Sequence, residues 1–473
     1  MPPELNLLVL DRGSVTAPAG CGKTQLIADT LGLHNGPKPI LILTHTNAGA
    51  AALRARLQRN RVRSSSYRVA TLDGFAMRLI GTFPLRSGHN PRILEINDAR
   101  NDYPAIRTAT SQLLHAGHIS DVLRATYSQV IVDEYQDCNL IQHAIVDALA
   151  MVLPTVVLGD PMQAIFGFSG NQLVEWQTHV EAQFPAAGAL GIPWRWRNAG
   201  TEPLGRWLLK TRAQLQGGQG VDLRGAPGEV QWVQMNAANA AQQRRAAAQT
   251  RTADQEETVL IIGDARNPRG RHQFTSQTPG ATSVEAVDLS DLVSFARRFN
   301  ITRADALGQL VNFAAEIMTQ VGAANLLARV ETIRQGRART PPTLAEVAAV
   351  DFATAPSISA ALHLIQQLED QAHARVFRPE MLHCFRSAMH TAASSGVTFL
   401  DGVLQARERN RHFGRPVSRR AVGSTLLLKG LEADVAIILY PELMNATNLY
   451  VALTRGARRL IVCSTTAVIN PLA

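Results

Sequence analysis

The chain has 473 residues, 46% hydrophobic and 18% charged, an ordinary globular composition that excludes a fibrous or disordered protein. That length holds several cores, about three domains by the usual scaling. A net charge of +9, carried almost wholly by Arg, leans toward a polyanionic partner, although basic proteins without one are also common.

Residues 7–15 are rich in Leu and Val and predict a buried parallel strand. Ala17-Pro18-Ala19-Gly20-Cys21-Gly22-Lys23-Thr24 follows, and residues 25–31 read as the first turns of a helix. Strand, glycine-rich turn, Gly-Lys-Thr and helix together make a phosphate-binding loop in its proper context. Backbone N–H groups at a helix start cradle a polyphosphate, and the helix dipole favours its charge. Lys23 would reach the β- and γ-phosphates, and the Thr24 hydroxyl would ligate Mg²⁺. The leading Gly of the pattern is here Ala17, a position that needs a small residue more than a bare backbone. The plain alternative is a structural strand–helix turn.

A second apolar strand is expected over residues 40–44, running into an Ala-rich helix that contains His45 and Asn47 near its start. Arg54, Arg56, Arg59, Arg61 and Arg63 line either a solvated helix face or a phosphate-contacting patch. Residues 69–75 read as strand and turn. Residues 129–137 form the next strong signal: a β-branched strand ends in Asp133-Glu134, at the edge where parallel sheets place ligands. Asp133 would hold the Mg²⁺ shell, and Glu134 would orient and deprotonate an attacking water. Residues 155–168 repeat the design, with a buried strand leading into Gly159-Asp160, Gln163, Phe166 and Phe168. Either aromatic is a core residue by default or a base-stacking platform by position.

The four cysteines, Cys21, Cys138, Cys384 and Cys463, form no CxxC, so a disulfide framework or zinc site is not expected. His115 and His118 lack a neighbouring ligand set and read as surface residues. No 18-residue apolar run or signal peptide occurs, so a cytoplasmic protein making no membrane contact is expected.

These motifs, in this order, resemble the superfamily 1 helicases of the UvrD/Rep type. Residues 17–24 are similar to motif I, 44–57 to motif Ia, 133–137 to D-E-x-Q-D and 159–168 to G-D-x-x-Q-S-I-Y. Trp196-Arg197-Asn198 stands at motif IV, Lys429-Gly430-Leu431-Glu432 at motif V, and residues 449–455 at the Y-V-A-x-T-R of motif VI. The resemblance implies an α/β fold of two RecA-like P-loop NTPase lobes, doubly wound parallel sheets, with a reduced helical accessory insertion. Lobe one would span 1–190 with a small insertion at about 76–125, and lobe two 191–267 plus 421–473 around a helical insert at 268–420. It implies ATP and Mg²⁺ as cofactors and 3′ to 5′ movement on single-stranded or partly duplex DNA.

By the same resemblance, the nucleotide site comprises Ala17, Pro18, Ala19, Gly20, Cys21, Gly22, Lys23, Thr24, Gln25, Trp196, Arg197, Gly430, Glu432 and Arg455. Trp196 would stack on adenine, Glu432 would meet the sugar, and Arg197 and Arg455 would act as arginine fingers. Gln163 would sense the γ-phosphate with Asp160 supporting it. His45, Asn47, Phe75 and Phe168 would face nucleic acid. The departures are the absence of an adenine-reading Gln before Ala17, Leu426 where motif V has His, and Asp73 where T-x-H-S-F has His. A basic segment at 407–420 reads as a linker or a nucleic-acid contact. Two rivals remain: a DNA-sensing ATPase subunit regulating a partner nuclease, similar to the small UvrD-like subunits of bacterial defence systems such as Gabija, and an RNA helicase.

Overall fold

The structure is a computed structural model describing residues 5–167, 172–252, 256–412 and 418–472. The architecture is α/β, two largely parallel sheets flanked by helices, as expected for two RecA-like lobes. By its internal packing the chain divides into two compact units.

The first unit takes Met1–Trp232, Pro441–Leu460 and Thr466–Ala473. Its sheet is built from β1 (Arg12–Thr16), β2 (Ile40–Thr44), β3 (Tyr67–Thr71), β4 (Val130–Val132), β5 (Thr155–Gly159) and β6 (Ala186–Ala189), in the order β3-β2-β4-β5-β1-β6. All neighbours run parallel. A parallel sheet is covered on both faces, which is why β2 and β5 are buried at every position. One face packs Ile27, Leu31, Leu53 and Leu57; the other packs Phe75, Ile80, Ile106, Leu149 and Phe184. The strand expected over 7–15 is shorter. Asn6 accepts from the Leu8 amide at 3.1 Å and caps a 3₁₀ turn, Leu7–Val9, ahead of β1.

Three helices follow from local caps and spacing. α1 (Lys23–Leu33) starts at Gly22, α2 (Asn47–Arg59) at Thr46 and α3 (Leu72–Thr82) at Thr71. Each threonine side chain accepts from the backbone N–H three residues on, a cap worth about 1 kcal/mol. α3 replaces the turn expected before Phe75. The unit also contains the helices Trp194–Ala199, Glu202–Gln216 and Ala446–Leu453, and a two-stranded antiparallel ribbon of β7 (Val221–Asp222) with β14 (Val468–Ile469).

The second unit takes Val233–Tyr440 and Ile461–Thr465. The second sheet contains β8 (Val230–Gln234), β9 (Val259–Ile262), β10 (Thr282–Ser283), β11 (Arg420–Gly423), β12 (Ala433–Ile438) and β13 (Gly456–Ser464), in the order β10-β11-β9-β12-β13-β8. Pairing is parallel from β10 through β12. Helices from Ser290–Arg298 to Phe399–His412 pack around Phe295, Phe313 and Phe385, with the first two rings stacked at 4.4 Å. Within the helical insert expected at 268–420 lie the helices Ser290–Arg298, Ala306–Ile317 and Ile358–Glu369. Arg378 forks onto Glu285 at 2.8 and 2.7 Å and bridges to Asp291 at 2.7 Å, joining this bundle to the chain after β10.

Candidate nucleotide and strand site

Parallel strands end at one edge, so β1, β4 and β5 deliver the Gly-rich loop, Asp133-Glu134 and Gly159-Asp160 side by side. The loop turns on Gly20 and Gly22, with φ of 69° and 88°, a region that β-carbon-bearing residues avoid. Both glycines are also pressed by tryptophan. A Cβ on Gly20 would lie 2.6 Å from Trp196 Cζ3, and one on Gly22 would lie 2.9 Å from Trp194 Cδ1. The Ala17 amide donates to Gly159 O at 2.8 Å and the Cys21 amide to Pro18 O at 3.1 Å, which fixes the loop's curve. Ala17, in place of the usual leading Gly, is buried.

Lys23, the first residue of α1, reaches back to Asp133 Oδ1 at 3.0 Å and Glu134 Oε1 at 2.5 Å. Burial alone would push its ammonium down, but the two carboxylates more than reverse this and leave it above the ordinary lysine value. Burial raises the Asp133 carboxyl, Lys23 pulls against the rise and Glu134 adds to it. One cation facing two carboxylates leaves the cluster net negative. That donor set suits a divalent cation, and Thr24, next to Lys23 in the first turn of α1, carries a hydroxyl of the kind such a cation takes. The first turn of α1 carries no acidic residue, so the helix N-terminus keeps its attraction for anions. These residues fit Mg²⁺ and a polyphosphate.

Glu134 itself sits at φ 57°, ψ 39°, left-handed backbone for a residue with a side chain. Its amide donates to Asp133 Oδ1 at 2.9 Å, and Gln136 Nε2 donates to its Oε2 at 2.6 Å. Gln136 Oε1 in turn accepts the Asp160 amide at 3.1 Å. Fully buried Asp160 receives Gln163 Nε2 at 3.1 Å on one oxygen and Arg212 on the other, from Nε at 3.0 Å and from Nη2 at 2.7 Å. Burial would lower the Arg212 guanidinium, yet the Asp160 carboxylate holds it above its usual value. Gln25 is turned to Asp29 and Arg56.

The structure corrects the placement of the motif IV residues. Trp196 is 1% exposed and donates from Nε1 to Gly456 O at 2.9 Å, so neither ring face is open to a base. Arg197 points outward, paired with Glu202 at 2.8 Å, and holds that carboxyl down at about 2 together with Arg206. The residues flanking the loop are Trp194, half-buried beside Gly22, and Arg195. The Arg195 amide donates to Gly20 O at 3.0 Å and its Nη1 to Thr454 O at 2.7 Å. Arg455 is buried next to it, donating from Nε to Val451 O at 2.8 Å. The Tyr450 hydroxyl accepts the Ala19 amide at 3.1 Å, joining motif VI to the loop. Gly430 and Glu432 lie in the second unit.

Of the nucleic-acid candidates, His45 leaves the end of β2 half-buried, with its ring 5.7 Å from that of Phe166, and Asn47 is exposed at the start of α2. Phe75 is corrected: at 1% exposure it is a core residue of α3, packed with Ile80 and Ile106. Phe168 and Arg415 fall outside the described residues. Arg59, Arg61 and Arg63 are exposed, whereas Arg54 donates to Val69 O at 2.7 Å and Arg420 to Thr250 O at 3.1 Å, which are structural uses. Asp73, in place of the family's His, is forked by Arg107 at 2.6 Å through both nitrogens.

Sequence reasoning did not single out Arg212, Gln136, Trp194, Arg195 or Tyr450. Gln136 and Tyr450 were signalled by their places in D-E-x-Q-D and Y-V-A-x-T-R, and Trp194 and Arg195 by the repeat Trp194-Arg195-Trp196-Arg197, which offers the same dipeptide twice.

The chain is similar to known proteins over part of its length. Residues 11–115 and 97–179 match the UvrD/REP helicase N-terminal domain. Over 102 residues, 21% of this chain, it is 32% identical to the RecBCD enzyme subunit RecB of Mycobacterium tuberculosis, in strains CDC 1551 / Oshkosh and ATCC 25618 / H37Rv. The match spans 9% of the length of those relatives. A crystal structure of Pif1 helicase from Candida albicans aligns at 10% identity and a TM-score of 0.40, over 96% of this chain and 92% of that one.

Proposed function

We propose, from the similarity of residues 11–115 and 97–179 to the UvrD/REP helicase N-terminal domain, an ATP-dependent translocase that moves 3′ to 5′ on single-stranded DNA. The observation that carries this reading is the Lys23–Asp133–Glu134 cluster beneath a loop with two positive-φ glycines. The loop amides and Lys23 bind the phosphates, while Thr24 and Asp133 hold Mg²⁺. The cation, when bound, would neutralise charge on the phosphate oxygens. Glu134, steadied by Gln136, accepts the proton of the attacking water. Gln163, held by Asp160, faces the terminal phosphate. Arg195 and Arg455 supply positive charge to the transition state, in the roles that sequence order had given to Arg197 and Arg455. Trp194, rather than Trp196, offers a partly open ring beside the loop for the base. His45, Phe166 and Asn47 grip the strand at the same sheet edge.

A second reading is an ATPase subunit that acts with a protein partner such as a nuclease and unwinds little alone. The relatives' own name, a subunit of an enzyme, favours it. Two assays separate these readings. Streptavidin displacement from oligonucleotides biotinylated at either end should show release from the 5′ end only, the mark of 3′ to 5′ movement. Release from the 3′ end only would reverse the polarity. Duplex unwinding by the isolated chain supports the first reading; displacement of streptavidin without unwinding supports the second.

A further inference from the structure

We propose that Arg212 is a positioning residue for hydrolysis, acting through buried Asp160 on both Gln163 and Glu134; this rests on the ATPase reading above. Arg212 lies in the helix Glu202–Gln216, outside every motif. Its Nε and Nη2 both close on Asp160 Oδ1, at 3.0 and 2.7 Å, and its Nη1 reaches Gln216 Oε1 at 3.2 Å. That leaves Asp160 Oδ2 to receive Gln163 Nε2 at 3.1 Å, while Oδ1 also takes the Met162 amide at 3.1 Å. From the Asp160 backbone the chain of bonds continues through Gln136 to Glu134 Oε2. The residue expected to sense the terminal phosphate and the residue expected to take the water's proton thus share one anchor, whose orientation is set by a guanidinium fork.

The geometry makes that anchor sensitive. Asp160 is fully buried, so leaving its carboxylate without a fixed partner is costly. Both Arg212 nitrogens hold Oδ1, so the guanidinium pins that oxygen more firmly than a single point contact would, and with Gln163 on Oδ2 the carboxylate plane is set. Rotation of that plane would withdraw Oδ2 from Gln163 and shift the strand end that carries the Gln136 hydrogen bond. Tyr450 stands beside the same pair, its hydroxyl raised by burial and then by Asp160, and holds the Ala19 amide of the loop. The helix bearing Arg212 therefore touches hydrolysis without touching nucleotide.

A misplacement of about 1 Å at a reacting group costs roughly 10²-fold in rate. Arg212→Ala should lower kcat by about that factor, with KM for ATP and the affinity for a fluorescent nucleotide analogue unchanged. Arg212→Lys should recover part of kcat, and added alkylguanidinium should raise the rate of Arg212→Ala but not of the wild type. Because Arg212→Ala strands a buried charge that can block folding, the double variant Arg212→Met with Asp160→Asn removes both charges. It should fold, bind nucleotide and still hydrolyse slowly. Wild-type kcat in the folded double variant, or equal losses of kcat and nucleotide affinity, would overturn the inference and leave the ATPase reading standing. A wild-type chain without ATPase activity would remove both.

Discussion

Glu134 combines a proposed chemical role with left-handed backbone, at φ 57° and ψ 39°, and the two can be separated by mutation. Glu134→Ala and Glu134→Gly remove the same carboxylate and the same 2.5 Å ion pair with Lys23, so they differ only in backbone freedom. Holding a non-glycine residue in a sparsely populated region costs on the order of 1–3 kcal/mol. Against that, glycine has more unfolded-state entropy to lose, about 0.4–1 kcal/mol. The glycine variant should therefore be the more stable by roughly 0–2.6 kcal/mol, whereas at an ordinary position it would be the less stable. For a unit of this size 1 kcal/mol moves Tm by about 2–4 °C. Thermal unfolding of the two variants without nucleotide measures the difference, and neither should turn over ATP. A glycine variant melting clearly below the alanine variant would refute the claim that strain is stored at Glu134.

Arg195→Ala should lose stimulated ATP turnover, while Arg197→Ala, which breaks the outward-facing pair with Glu202 and the contact over the Trp194 ring, should retain it; steady-state ATPase rates decide. Gly20→Ala places a Cβ 2.6 Å from Trp196 Cζ3 at φ 69°, so nucleotide affinity by fluorescence titration should fall sharply and the first unit should melt earlier. Phe166→Ala should weaken single-stranded DNA binding by roughly 1–3 kcal/mol with its salt slope intact. Charge reversal at Arg59, Arg61 and Arg63 should instead flatten the slope of log K against log salt, by about 0.7 for each phosphate no longer neutralised.

The glycine-rich loop and the acidic strand end were legible because each is written in one short stretch of particular residues. Lys23, Asp133 and Glu134 meet because parallel strands end at a common edge, and the strands were readable from their apolar runs. Motif IV was not readable to the residue. Trp194 and Trp196 are two apart, roughly 200° around a helix, so only packing decides which ring lies beneath Gly20 and which stays half-open. Phe75 was misplaced because a turn was expected where Thr71 caps α3, whose apolar spacing turns that ring inward. Arg212 left no local trace: its partner is set by tertiary packing, and an arginine on an amphipathic helix ordinarily faces water. The break at Asn6 that shortens β1 was likewise hidden by the Leu and Val around it.

The central claim is that Lys23, Asp133 and Glu134 form an ATP-hydrolysing centre driven by nucleic acid. The most direct test is the rate of phosphate release from ATP by wild type and Glu134→Gln, each without polymer, with single-stranded DNA, with duplex DNA and with RNA. The account predicts wild-type hydrolysis raised by single-stranded DNA. In Glu134→Gln it should fall by about 10²–10⁴-fold while ATP and DNA are still bound. Hydrolysis by Glu134→Gln at the wild-type rate, or a wild-type rate raised by RNA and not by DNA, would contradict it.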